Sequence, residues 1–97
     1  MRVISQDGTM DVPYENFVFG ITLDNYISAV MDTAVRPTEV VNGIMAKYSS
    51  REKALKVMGL LRESYLKFAH ATNDSSFYTF FDNPKVFQFP ADAEVKV

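Results

Sequence analysis

Between Ser49 and Ala69, apolar residues return at intervals of three and four: Ala54, Leu55, Met58, Leu61, Tyr65 and Phe68. Such a recurrence places them on one face of an amphipathic helix. The run is preceded by Ser49-Ser50-Arg51-Glu52, the S-x-x-E spacing of a capping box, in which Ser49 caps a backbone N–H and Glu52 reaches back. Glu52→Lys56 and Glu63→Lys67 are i,i+4 pairs in the favourable order, each worth a few tenths of ~1 kcal/mol. The pattern predicts a helix from about Ser50 to about Ala69, ended by Asn73-Asp74-Ser75-Ser76. No second segment reads this way.

The residues before it read in twos. Arg2 to Ser5 is short and β-branched, and Gln6-Asp7-Gly8-Thr9 carries the Asp-Gly pair of a tight hairpin. Met10-Asp11-Val12 resumes the alternation until Pro13 limits it to an edge or a strand end. Phe17, Phe19, Ile21 and Leu23 share one face of the next strand, with Val18, Gly20 and Thr22 on the other. Asp24-Asn25 turns the chain, and Tyr26 to Met31 runs back. Pro37 marks a loop or one helical turn within residues 32 to 43; Asn42-Gly43 is another turn signal, and Ile44 to Tyr48 a further strand. Lys85 to Phe89 is a last strand fenced by Pro84 and Pro90, with large side chains on both faces, Phe87 and Phe89 on one and Val86 and Gln88 on the other. Such a strand pairs within its own sheet or adds to a neighbour's edge, and Ala91 to Val97 reads as a loose end. The expected fold is α+β: an antiparallel sheet of four to five strands with one long amphipathic helix packed on one face.

Composition fits one domain spanning residues 1–97. A chain of this length buries roughly 65% of the surface its unfolded form exposes, and 47% apolar with 23% charged residues is an ordinary globular balance. The absence of cysteine removes disulfides, thiolate nucleophiles and Cys-ligated zinc. A net charge of −2 argues against coating long nucleic acid or a membrane by bulk charge. Ser5-Gln6-Asp7-Gly8 follows the first four residues without an apolar run, so a signal peptide and a membrane span are not expected. The expected setting is cytoplasmic.

Three segments carry a resemblance. Met1-Arg2-Val3-Ile4-Ser5-Gln6-Asp7-Gly8-Thr9 with Asp11-Val12-Pro13-Tyr14-Glu15, Tyr48-Ser49-Ser50-Arg51-Glu52-Lys53-Ala54 with its helix to Arg62, and Val86-Phe87-Gln88-Phe89-Pro90 together cover about half the chain. They resemble a group of small proteins of Gram-positive bacteria and their prophages. The group has no assigned chemistry, so no site residue is carried over from it. The resemblance implies a phage-borne or mobile-element context, hence the cytoplasm of a host, where small interaction proteins include inhibitors of bacterial immunity.

Chemistry-bearing residues are few. His70 is the only imidazole and falls at the fraying end of the helix, a place for pairing with the helix dipole rather than for a general base. Gly8, Gly20, Gly43 and Gly59 stand singly, so no phosphate loop is written, and no cofactor or metal is expected. Asp74, Asp82, Asp92 and Glu94 show no catalytic spacing, although pairing in space would leave room for a small enzyme. Lys47, Ser49, Ser50, Arg51 and Lys53 crowd a helix N-terminus, where N–H groups, the dipole and cations together favour an anion. The alternative is a solvated face whose N–H groups the capping box already uses. Phe77 and Tyr78, in the run Phe77-Tyr78-Thr79-Phe80-Phe81, supply rings on which a base stacks, or else close the core or a homodimer contact. Gly59 lies on the charged stripe of the helix, where close approach of a partner or an indifferent exposed site explains it equally well.

The expectation is a non-catalytic binding protein, homo-oligomeric, that sequesters a small phosphorylated ligand such as a nucleotide immune signal. The alternative is an inhibitor that binds a host defence protein directly, in the manner of an anti-CRISPR.

Overall fold

A computed structural model describes residues 1–31, 42–73 and 85–97. The chain order is β1 (Arg2–Ile4), β2 (Asp11–Pro13), a 3-10 turn at Tyr14–Asn16, β3 (Phe17–Ile21), β4 (Tyr26–Met31), β5 (Asn42–Lys47), α1 (Arg51–Asn73), β6 (Val86–Gln88) and a second 3-10 turn at Asp92–Glu94. Among the described residues the class is α+β with one α-helix, as the periodicities predict.

The strands do not form one sheet. They divide into two sheets of three, β2-β1-β6 and β3-β4-β5, and β6 pairs parallel to β1. Two features explain the departure from a single antiparallel meander. Pro13 sits at a non-hydrogen-bonded position of the β1–β2 ladder, which the Tyr14 N–H continues to the Met1 carbonyl at 2.9 Å, so its missing N–H bars a further strand from the outer edge of β2. The 3-10 turn after it redirects the chain, and β3 begins a second sheet. β6 follows the long helix rather than a tight turn, and a crossover of that length permits parallel pairing.

Gly8 takes φ +78° in the first loop, but the loop is wider than a two-residue hairpin, spanning Ser5 to Met10. Asp7 organises it: Oδ1 accepts from Ser5 Oγ at 2.7 Å, Thr9 Oγ1 at 2.7 Å and Thr9 N–H at 3.0 Å. The Asp24-Asn25 turn forms as read, with Asn25 at φ 66°. Asn42-Gly43 is not a turn; both residues belong to β5. Gly43 serves a close approach there, since a Cβ would lie 2.6 Å from the Met10 methyl carbon.

The β4–β5 register shifts between Ile27 and Ser28, leaving Met45 as the extra residue of a β-bulge. The bulge puts consecutive residues, Met45 and Ala46, into the core. Gln6 completes that edge. Its N–H donates to the Met45 carbonyl at 2.7 Å, its Oε1 accepts from Lys47 N–H at 3.1 Å, and its Nε2 donates to the carbonyls of Lys47 at 3.2 Å and Pro90 at 3.0 Å. One amide side chain thus ties the first sheet's loop to the second sheet.

Val3, Val12 and Phe89 from the first sheet region share a core with Ile27, Ala29 and Met45 from the second and with Ala54, Val57 and Leu61 of α1. The helix face differs from the reading at two positions. Leu55 is 53% exposed and Val57 is fully buried, because at about 100° per residue Leu55 lies well round from Ala54. Residues 91–97 are not a loose end: Val95 is buried, Tyr48 Oη donates to the Pro90 carbonyl at 2.8 Å, and Lys56 donates to the Lys96 carbonyl rather than pairing with Glu52. Among the described residues no helix is long and apolar enough to cross a membrane.

Candidate functional site

The crowded helix start is built differently from its sequence reading. The cap is Ser50, whose Oγ accepts from Lys53 N–H at 3.2 Å, and α1 begins one residue later than a Ser49 cap would place it. Ser49 turns instead to the segment after β6. Its N–H and Oγ both donate to Asp92 Oδ1, at 2.8 and 3.1 Å, while Lys53 Nζ donates to the Asp92 carbonyl at 3.0 Å and lies 3.4 Å from Oδ2. The Ser49 N–H, with its hydroxyl and the Lys53 ammonium, holds the Asp92 carboxyl below the ordinary value of 3.8. Burial, with Asp92 and Glu94 nearby, pushes the Tyr48 hydroxyl up. The corner therefore does hold an anion, and the anion is the chain's own.

The other named residues scatter. Lys47 lies over the Tyr26 ring, 5.4 Å from its centroid, away from Asp92. Arg51 is exposed and makes no ion pair among the described residues. Phe77 and Tyr78, like Asp74 and Asp82, lie outside the described residues, and the side chain of His70 does too. Among the described residues no three His, Cys, Asp or Glu side chains gather as metal ligands do.

A second site comes from residues that the sequence reading assigned to the core or passed over. A cavity of about 320 Å3 is lined by Tyr14, Phe17, Val18, Phe19, Met58, Leu61 and Arg62. Strand side chains alternate between faces, so three consecutive residues, Phe17 to Phe19, line one cavity only if it runs along the strand's edge. β3 is an edge strand, paired with β4 alone among the described strands. Tyr14 forms the end wall. Its ring stacks on Tyr65 at 4.1 Å between centroids and on Phe19 at 5.6 Å, and Tyr65 in turn meets Phe68 at 6.1 Å. These stacks fix the wall without a covalent link.

The helix wall is apolar and cationic. Residues 51, 55, 58, 62 and 66 fall within about 80° of one another around α1: Arg51, Leu55, Met58, Arg62 and Leu66. Leu55 and Leu66 are more than half exposed, no acidic residue interrupts the set, and Arg62 makes no ion pair among the described residues. Gly59 sits beside this flank with open space where a Cβ would be. The spacing of Arg51 to Leu66 was present in the sequence, but only the placement of β3 against it reveals a groove. No family model, no curated protein and no solved structure matches this chain.

Proposed function

We propose that this protein is a non-catalytic binding protein that grips another protein directly, in the host cytoplasm of the mobile-element setting its resemblance implies. The observation that carries this reading is the edge of β3 that no described strand covers, beside a cavity lined by Tyr14, Phe17, Met58 and Leu61 with Arg62, which makes no ion pair among the described residues, at its rim. Soluble domains normally blunt such edges with lysine, proline or a bulge, and Phe17-Val18-Phe19-Gly20-Ile21 has none of these. Direct inhibition of a host defence protein fits this surface better than capture of a metabolite. The test is affinity purification from a host lysate with the wild-type chain and with Val18→Glu, a substitution at a largely exposed position. A partner recovered by the first and lost by the second supports the reading; recovery of the same proteins by both rejects it.

A second reading rests on Asp92. The Asp92 carboxylate is seated on Ser49 and Lys53, and a phosphorylated ligand taking its place would use Ser49, Ser50, Arg51 and Lys53 as donors. Asp92→Asn should then give a larger rise in melting temperature with nucleotides than the wild type shows. Equal, flat responses in both proteins argue against it.

A further inference from the structure

We infer that an extended, acidic segment of a partner protein adds to β3 as a fourth strand of the second sheet, seated between β3 and the Arg51–Leu66 flank of α1. This inference rests on the protein-binding reading above and names the chemistry of the partner.

The backbone comes first. Thr22 N–H donates to the Tyr26 carbonyl at 2.8 Å, and the β3–β4 register runs Ile21↔Ile27, Gly20↔Ser28, Phe19↔Ala29 and Val18↔Val30. Hydrogen-bonded and non-hydrogen-bonded pairs alternate in an antiparallel ladder. Counting back from Thr22, Gly20 and Val18 direct their N–H and C=O groups at β4, while Phe19 and Ile21 direct theirs at the edge that no described strand covers. Only another extended backbone satisfies such groups in register, and a compact small molecule does not.

The side chains set its chemistry. Every second residue of an added strand faces the cavity lined by Tyr14, Phe17, Met58 and Leu61, which suits an aliphatic or aromatic side chain. Arg62 lies at the rim and Arg51 lies further along the same helix flank, with no carboxylate among residues 51, 55, 58, 62 and 66. A guanidinium without a partner favours a carboxylate and penalises a cation.

The test uses the full chain and a fluorescent peptide of alternating glutamate and valine, with two controls: lysine replacing each glutamate, and proline at alternate positions. The acidic peptide should bind saturably by anisotropy, and hydrogen exchange at the Phe19 and Ile21 amides should slow on binding. Arg62→Glu should weaken binding about tenfold, the size of one lost charge-assisted hydrogen bond, and shift preference to the lysine peptide. The proline peptide should not bind. No saturable binding of the acidic peptide, unchanged Phe19 and Ile21 exchange, or indifference to Arg62→Glu each overturns the inference. So does a concentration-dependent mass by light scattering that Val18→Glu abolishes, since a second copy would then occupy the edge. If a lysate partner is lost with Val18→Glu while the peptide fails, the protein-binding reading survives and the added-strand inference does not.

Discussion

Asp7 shows how one carboxylate replaces a tight turn. Three hydrogen bonds, those from Thr9 first and that from Ser5 after them, hold its carboxyl at about 2, below the ordinary 3.8. A folded-state value below the unfolded one means its stabilisation is fully present above the unfolded value and is lost as pH falls through the folded one. The urea midpoint should therefore drop between about pH 4 and pH 2, and Asp7→Asn should flatten that part of the profile. Gln6 belongs to the same scale. Its side chain makes three hydrogen bonds to backbone groups of Lys47 and Pro90. At roughly 0.5–1.5 kcal/mol net for each bond, Gln6→Ala should cost about 2 kcal/mol by urea denaturation. Neither role was legible beforehand, because a polar side chain that bridges two sheets leaves no periodic trace; the Asp-Gly pair announced a turn but not its width.

At the scale of elements, the helix was the most readable part and its start the least. Threes and fours located the buried face through Ala54, Met58, Leu61, Tyr65 and Phe68, yet Leu55 and Val57 exchanged roles because residues two apart on a helix point to nearly opposite sides. Val57→Ala should cost about 2 kcal/mol, mostly lost burial with a cavity term, whereas Leu55→Lys should stay within about 0.5 kcal/mol of wild type. Chemical denaturation of the two variants checks the assignment. The cap makes a parallel contrast: Ser50→Ala should lose about 1 kcal/mol, and Ser49→Ala less, since Ser49 serves an exposed carboxylate. The S-x-x-E motif pointed one residue too early, because two adjacent serines offer the same chemistry and only the Asp92 contact tells them apart.

For the whole molecule, the class was readable and the topology was not. Alternation marks a strand but carries no label for its neighbour, so Pro13 and the turn at Tyr14–Asn16 looked like an interruption when they are the border between two sheets. The groove beside β3 escaped for a related reason: Phe17 and Phe19 read as one face of a strand and Arg62 carried no reading of its own, and their meeting is a property of the assembly. The two sheets nevertheless stand or fall together, because Phe89, Val3 and Ile27 share one cluster. Phe89→Ala should lower hydrogen-exchange protection at Val3 and at Ile27 by similar factors, with a loss of about 3–5 kcal/mol; protection lost at Val3 alone would show two separable units.

The parallel pairing of β1 with β6 also bears on how the chain reaches this state. Arg2 faces Val86, so nearly the entire sequence lies between two neighbouring strands. Contacts so distant along a polymer are slow to close. On a ribosome the opening strand must wait, with its second neighbour missing, until the segment around Phe87 has emerged from the exit tunnel. The second sheet and the helix, whose backbone hydrogen bonds join segments closer along the chain, are free to assemble earlier.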